Sequence, residues 1–152
     1  MRGHTDRNAD FRCVRCEAYV CAKAFLAGVN HRNHCPYCLW SRHLDLFEAG
    51  DRFSACKAPM EPVGLTFKRR NKKYRPVAGE LMLVHRCTGC ETLSINRIAA
   101  DDLAEVVMEV LEGSAGLPAH VRARTEVEGI RLLDQRDREA VCRQLFGTRT
   151  GI

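Results

Sequence analysis

At 152 residues the chain is long enough for one domain with an appended element, and an apolar fraction of 45% suits a globular protein rather than a disordered one. Aromatic residues make up only 7%, so the Cys-, Gly-, His- and Arg-rich first two thirds must gain stability from something other than a large apolar core. A formal charge of +5 only mildly favours an acidic partner, and no stretch is apolar enough to span a membrane.

Residues 1–11 are polar and lack the apolar run of a secretory signal, which leads to the expectation of a cytoplasmic protein with reduced thiols. The nine cysteines are an odd number and include three C-x-x-C pairs, a pattern of metal thiolates rather than of a disulfide framework. From residue 11 to 97 the chain reads as short strands and tight loops with those pairs at the turns. Cys13 and Cys16 with Cys35 and Cys38 have the spacing of a zinc ribbon, in which each turn presents two thiolates to a tetrahedral ion. Cys87 and Cys90 supply half of a second site, and Cys56 offers a third thiolate where a knuckle has lost its second cysteine.

The fourth donor is His43 or His85. We prefer His43, because the polar turn Ser41-Arg42-His43 leaves its imidazole free to reach across, whereas His85 stands two residues before Cys87 and would strain that knuckle. A different partition, Cys35, Cys38, His43 and Cys56 in one set and Cys13, Cys16, Cys87 and Cys90 in the other, uses the same ligands. Either way two zinc ions are expected, closed by thiolates and therefore structural. Cys21 and Cys142 are expected to pack as small apolar groups.

Residues 80–85 read as a strand entering the third pair. Before it lies a basic run, Lys68, Arg69, Arg70, Lys72, Lys73, Tyr74 and Arg75, free of acidic residues and suited to a β-hairpin arm. Its cations can follow phosphates while Tyr74 or an arginine plane stacks on a base, so RNA, at the ribosome or in another ribonucleoprotein, is the leading partner. Arg32, Arg42, Arg52, Arg86 and Arg97 add to that balance. His34 and Asp45 offer an acid–base pair for an enzyme reading, and Asn33 is expected to cap a turn.

Beyond residue 97 the pattern changes to helix. Leu103, Val106, Val107, Val110 and Leu111 share one face of a helix over residues 102–112, with Asp102 and Glu105 placed as a capping box and Gly113 as its stop. A linker follows over 113–118, then residues 121–133 as a strand or an extended arm. Asp134 can cap a last short helix carrying Val141, Cys142, Leu145 and Phe146, ended by Gly147.

The segment Arg32-Asn33-His34-Cys35-Pro36, with the pairs at 13/16 and 87/90, Gly50-Asp51-Arg52, Cys56 with Met60-Glu61-Pro62, His85-Arg86 and Asn96-Arg97-Ile98, resembles the bacterial RNHCP-domain proteins over residues 11–102. The resemblance implies a zinc-binding domain and carries over no activity. Glu17 departs from the small residue expected after the first pair. The fold expected is α+β, a zinc-ribbon-like β module with two zinc sites over residues 11–100 and a helical extension of one or two helices over 101–152. The functions in order are zinc-stabilised RNA binding, a protein–protein adaptor docking through the Val106/Val110 face or the last helix, and a zinc or thiol enzyme.

Overall fold

The computed structural model describes residues 10–23, 27–29, 32–46, 51, 53–68 and 79–147. Two sheets form among them. The first is a minimal antiparallel pair, β1 (Phe11–Arg12) with β2 (Tyr19–Val20), wrapped around the first cysteine turn. The second has four antiparallel strands in the order β3 (Ser41–Arg42), β4 (Pro59–Lys68), β5 (Glu80–Cys87) and β6 (Leu93–Arg97).

The β4–β5 hairpin is the spine. Its ladder runs from Met60 opposite Cys87 to Lys68 opposite Glu80, with a register shift between Pro62 and Gly64. One face carries Leu65, Leu81 and Leu83, β-period neighbours that are all buried. Against it pack Val107 and Leu111 of helix α1 (Ala104–Gly113), together with Leu133 and Val141 from the end of the chain and Leu39 from the loop after the second cysteine pair. The C-terminal helices and the zinc-bearing half therefore share one apolar core. Val106 and Val110 also pack against it.

The sequence expectations for this half need three corrections. Asp102 does not cap α1, which starts at Ala104 with Leu103 as N-cap and no side-chain cap; the Asp102 carboxylate is taken by buried partners described below. The expected linker is not slack, since α1 passes straight into a 3₁₀ turn, Ser114–Gly116. Residues 121–133 are not one strand: Ala119–Val127 forms helix α2, followed by an irregular stretch in which the Leu133 N–H donates to Leu65 O (2.9 Å) and Thr66 Oγ1 to Arg131 O (2.8 Å). An apolar-stripe reading passes over α2 because only Val121 and Thr125 are buried along it. Gly64 admits this crossing, since a Cβ there would lie 2.7 Å from Leu132 Cδ2.

Helix α3 (Arg138–Phe146) follows a 3₁₀ turn over Gln135–Asp137 that Asp134 and Asp137 close as a capping box. Gly147 ends it with φ 88, a left-handed value that glycine adopts without strain.

Candidate metal centres

Four non-glycine residues among those described have positive φ: Glu17 (68), Leu39 (67), Lys57 (53) and Glu91 (70). Each directly follows a cysteine: Cys16, Cys38, Cys56 and Cys90. Left-handed backbone there turns the chain sharply enough to bring both donors of a knuckle to one side. Glu17 thus adopts the turn that a small residue would adopt.

The backbone hydrogen bonds repeat with the same regularity. In the first knuckle Glu17 N–H donates to Cys13 O (3.0 Å) and Cys13 N–H to Ala18 O (2.8 Å). In the second, Leu39 bonds Cys35 O (2.8 Å) and Cys35 bonds Trp40 O (2.9 Å); in the third, Glu91 bonds Cys87 O (3.0 Å) and Cys87 bonds Thr92 O (2.8 Å). A fourth instance stands where no C-x-x-C exists: Lys57 N–H donates to His43 O (3.1 Å) and His43 N–H to Ala58 O (2.9 Å). His43 holds the first position of this knuckle and Cys56 the second, with residues 44–55 inserted between them. Cys56 is therefore not the survivor of a knuckle that lost its second cysteine; it is the second cysteine, and a histidine far back in sequence is the first.

Pairs of knuckles face each other. Cys13, Cys16, Cys35 and Cys38 form one cluster and His43, Cys56, Cys87 and Cys90 the other, the donor atoms of each within 4.8 Å of one another. Within them Cys13 Sγ lies 3.6 Å from Cys38 Sγ, Cys16 Sγ 3.6 Å from Cys35 Sγ, Cys56 Sγ 3.6 Å from Cys87 Sγ, and Cys90 Sγ 3.4 Å from His43 Nδ1. A tetrahedron with Zn–S of about 2.3 Å and Zn–N of about 2.0–2.1 Å has S–S edges near ~3.8 Å and S–N edges near ~3.6 Å, so both clusters have the right size for zinc. Sulfur is also prepared for negative charge by backbone donors, Arg15 and Cys16 N–H onto Cys13 Sγ (3.3 and 3.4 Å), Tyr37 N–H onto Cys35 Sγ (3.4 Å), and Gly89 and Cys90 N–H onto Cys87 Sγ (3.4 and 3.5 Å). Gly89 serves a further purpose, because a Cβ there would come within 2.8 Å of Ala58 Cβ and 3.2 Å of Cys56 Sγ.

The thiols divide by environment. Burial pushes Cys35 up to about 11 and also raises Cys38 and Cys87. Cys13 is desolvated too, but the Cys16 and Arg15 amides outweigh that and lower it. Cys90, exposed and bonded by Thr92 Oγ1 (3.1 Å) and the Thr92 backbone, falls to about 6. A divalent cation held between them would ionise the buried thiols as well, since a coordinating thiol is deprotonated outright.

His85 is not a donor to either cluster. It is fully buried, with Nε2 donating to Leu39 O (2.7 Å), which leaves Nδ1 as acceptor for Asn96 Nδ2 (2.8 Å). Burial drives its pKa down to about 3, so it is a neutral core group. The alternative partition, with Cys13 and Cys16 joining Cys87 and Cys90, does not occur. Cys21 and Cys142 are half-buried and stand outside both clusters.

The family model of the RNHCP domain matches residues 8–108. The chain belongs to the RNHCP-domain family. No curated protein and no solved structure gives a significant match.

Each letter of this RNHCP motif has a structural task. Arg32, 2% exposed, spends its guanidinium on Asp101 (2.8 and 3.0 Å), Asp102 Oδ1 (3.1 Å), His34 O (3.0 Å) and Cys21 O (3.3 Å). Asn33 Nδ2 donates to Arg42 O (3.2 Å), a tie between separate segments rather than the local turn cap expected for it. His34 Nε2 donates to Asp102 Oδ2 (2.7 Å), which also accepts from Ala99 N–H (2.8 Å). Cys35 belongs to the first cluster, and Pro36 O accepts from Leu103 N–H (3.1 Å) at the start of α1. The partner of His34 is thus Asp102, not Asp45 as the sequence suggested, and the RNHCP motif fastens the second knuckle, part of the first cluster, to the helical extension.

The scattered arginines serve this framework as well. Arg42 Nε donates to Lys57 O (3.1 Å) in the split knuckle, Arg86 bridges Glu61 (3.0 Å) and Glu91 (2.9 Å) beside the third, and Arg97 pairs with Glu80 (2.8 Å). The hydrogen bonds to Glu61 and Glu91 raise the Arg86 pKa, against the opposing effect of partial burial. With Arg32, these residues brace loops and give no separate support to nucleic-acid binding; Arg52 lies outside the described residues. Of the basic run, Lys68 is the exposed last residue of β4, while Arg69, Arg70, Lys72, Lys73, Tyr74 and Arg75 lie outside the described residues. No helix among the described residues is long and apolar enough to cross a membrane.

Proposed function

We propose that this RNHCP domain is a zinc-stabilised RNA-binding module, at work in the ribosome or another ribonucleoprotein, in which both metal sites are structural. Each donor set holds four side chains, which leaves no position for a substrate or an activated water, so the reading gives zinc a folding role instead of a catalytic one. The single observation that carries the RNA reading is the junction of sequence and strand pairing. Lys68 and Glu80 are the last paired residues of β4 and β5, and the connection leaving them bears Arg69, Arg70, Lys72, Lys73 and Arg75 with no acidic residue before Glu80. A cationic connection at the end of a rigid hairpin, with Tyr74 inside it, matches the needs of phosphate contact and base stacking.

The adaptor reading loses its first candidate surface, because Val106 and Val110 pack against the core. Its remaining support is the last helix, where Phe146 is 57% exposed.

The test neutralises Lys68, Arg69, Lys72 and Lys73 together. RNA affinity should fall with zinc content and melting temperature unchanged, and the slope of log affinity against log salt should flatten by about 0.7 to 0.9 per lost phosphate contact. Tyr74→Ala should cost a further ~1 to 3 kcal/mol of binding if a base stacks on the ring. Unchanged affinity in both variants would move the assignment to the adaptor.

A further inference from the structure

Strand β6 is an edge of the four-stranded sheet. On the far side β4 has its edge taken, since Leu133 N–H donates to Leu65 O and Thr66 Oγ1 to Arg131 O. The β5–β6 ladder fixes what β6 leaves open. Cys87 N–H donates to Thr92 O (2.8 Å), and the register runs without a shift from Arg86 opposite Leu93 to Met82 opposite Arg97. Antiparallel pairs alternate between bonded and non-bonded, so Ser94 and Asn96 turn their N–H and C=O to β5 while Leu93, Ile95 and Arg97 turn theirs outward. Among the described residues no donor or acceptor meets those outward groups. Ile95 is 38% exposed, and Arg97 is exposed as well.

Two shallow clefts, each of about 210 Å³, lie beside this strand, and both have the successive residues Ile95 and Asn96 in their walls. Successive strand residues point to opposite faces of a sheet, so a cleft bordered by both follows the edge and not one face. Asn33 and Asp45 also border both clefts, which join as one groove along β6. Arg42 stands in the half that includes Leu93, and Lys68 with Arg97 in the other. Asp45 is the carboxylate in the walls; Glu80, outside them, pairs with Arg97, and the buried Arg32 is spent on Asp101 and Asp102.

We propose that this groove takes an extended, acidic peptide segment of a protein partner, added to the sheet as a further strand on β6. An unpaired strand edge offers alternating donors and acceptors, which another peptide backbone matches and a chain of phosphates, lacking donors, does not. Charge selects the side chains: exposed Arg42, Lys68 and Arg97 against Asp45 favour glutamate and aspartate. A second copy is disfavoured, because antiparallel pairing of two β6 edges would set Lys68 and Arg97 of one copy towards Arg42 of the other. The contact is separate from the RNA reading and stands or falls without it.

Blocked peptides of about seven residues, alternating valine with glutamate or valine with lysine, are the probes for the full zinc-loaded chain. The glutamate peptide should bind about ten-fold more tightly than the lysine peptide. On binding, the backbone amide protons of Ile95 and Arg97 should pass from fast to slow exchange, whereas those of Ser94 and Asn96, bonded to β5, are slow from the start. Ile95→Pro removes an outward N–H and no ladder bond, so it should keep two zinc ions and lose about ten-fold in affinity for the glutamate peptide. Arg97→Glu, at an exposed position, should abolish the preference for glutamate over lysine with zinc content unchanged, a charge test that does not depend on the proline variant folding. Equal binding of the two peptides by the wild type, no binding of either, or binding that leaves the Ile95 and Arg97 amides in fast exchange overturns the proposal. Protection that rises with protein concentration alone would assign the edge to a second copy, and protection by oligo(rU) but by neither peptide would assign it to RNA; either result overturns the peptide groove.

Discussion

Glu17, Leu39, Lys57 and Glu91 share a left-handed backbone but differ in what their side chains do, so replacing them with glycine separates strain from packing. Left-handed backbone costs a side-chain-bearing residue roughly 1 to 2 kcal/mol, part of which glycine returns as lost entropy. Glu17 is exposed, so Glu17→Gly should stabilise the protein by up to ~1 kcal/mol. Leu39 is fully buried in the main core, and Leu39→Gly should destabilise by about 3 kcal/mol or more despite the same relief. Chemical denaturation of zinc-loaded protein measures both; losses of similar size would mean that the turns carry no strain. At this scale the cysteines were legible because zinc chemistry writes its spacing into the sequence. The choice of His43 over His85 was legible only in part. A histidine two residues before a knuckle is read as a strained ligand from spacing alone, whereas its actual role, a neutral core group bonded to Leu39 O and Asn96, depends on packing.

Among the elements, the split knuckle has the clearest consequence. If residues 44–55 are an insertion between two halves of one turn, replacing them with a two-residue link to give His43-x-x-Cys56 should leave a chain that still binds two zinc ions. Loss of the second ion would show that the inserted loop, which Asp51 organises through the Leu46 and Phe53 amides (2.9 and 3.1 Å), shapes the site itself. No sequence spacing could reveal this turn, because its two donors are separated by the insertion. The junction of the RNHCP motif with α1 was equally hidden. Asp102 reads locally as a helix cap, yet its carboxylate is wholly buried and answers Arg32 and His34, which come from far earlier in the chain. Removing one member of a buried ion pair leaves the other uncompensated, at a cost of about 3 to 5 kcal/mol. Asp102→Ala should therefore lower stability by about that amount while zinc content stays at two per chain. A loss of zinc at the first site in the same variant would mean that the junction also shapes the knuckle.

For the whole molecule, the α+β arrangement followed from composition and periodicity: a cysteine-rich half of short strands, then helices after residue 97. What composition did not carry is that the two halves share a core, with Val107, Leu111, Leu133 and Val141 covering Leu65, Leu81 and Leu83. A thin β module is completed on one side by helices and at its loops by metal. Two closed zinc sites of unlike composition hold that module together, one of four thiolates and one of three thiolates with His43. Native mass spectrometry of the wild-type chain and of His43→Ala, with zinc counted on the folded species, tests this most directly. Two ions are expected on the wild type and one on the variant; a folded wild-type chain with fewer than two, or a variant that keeps both, would rule out a second site built on His43.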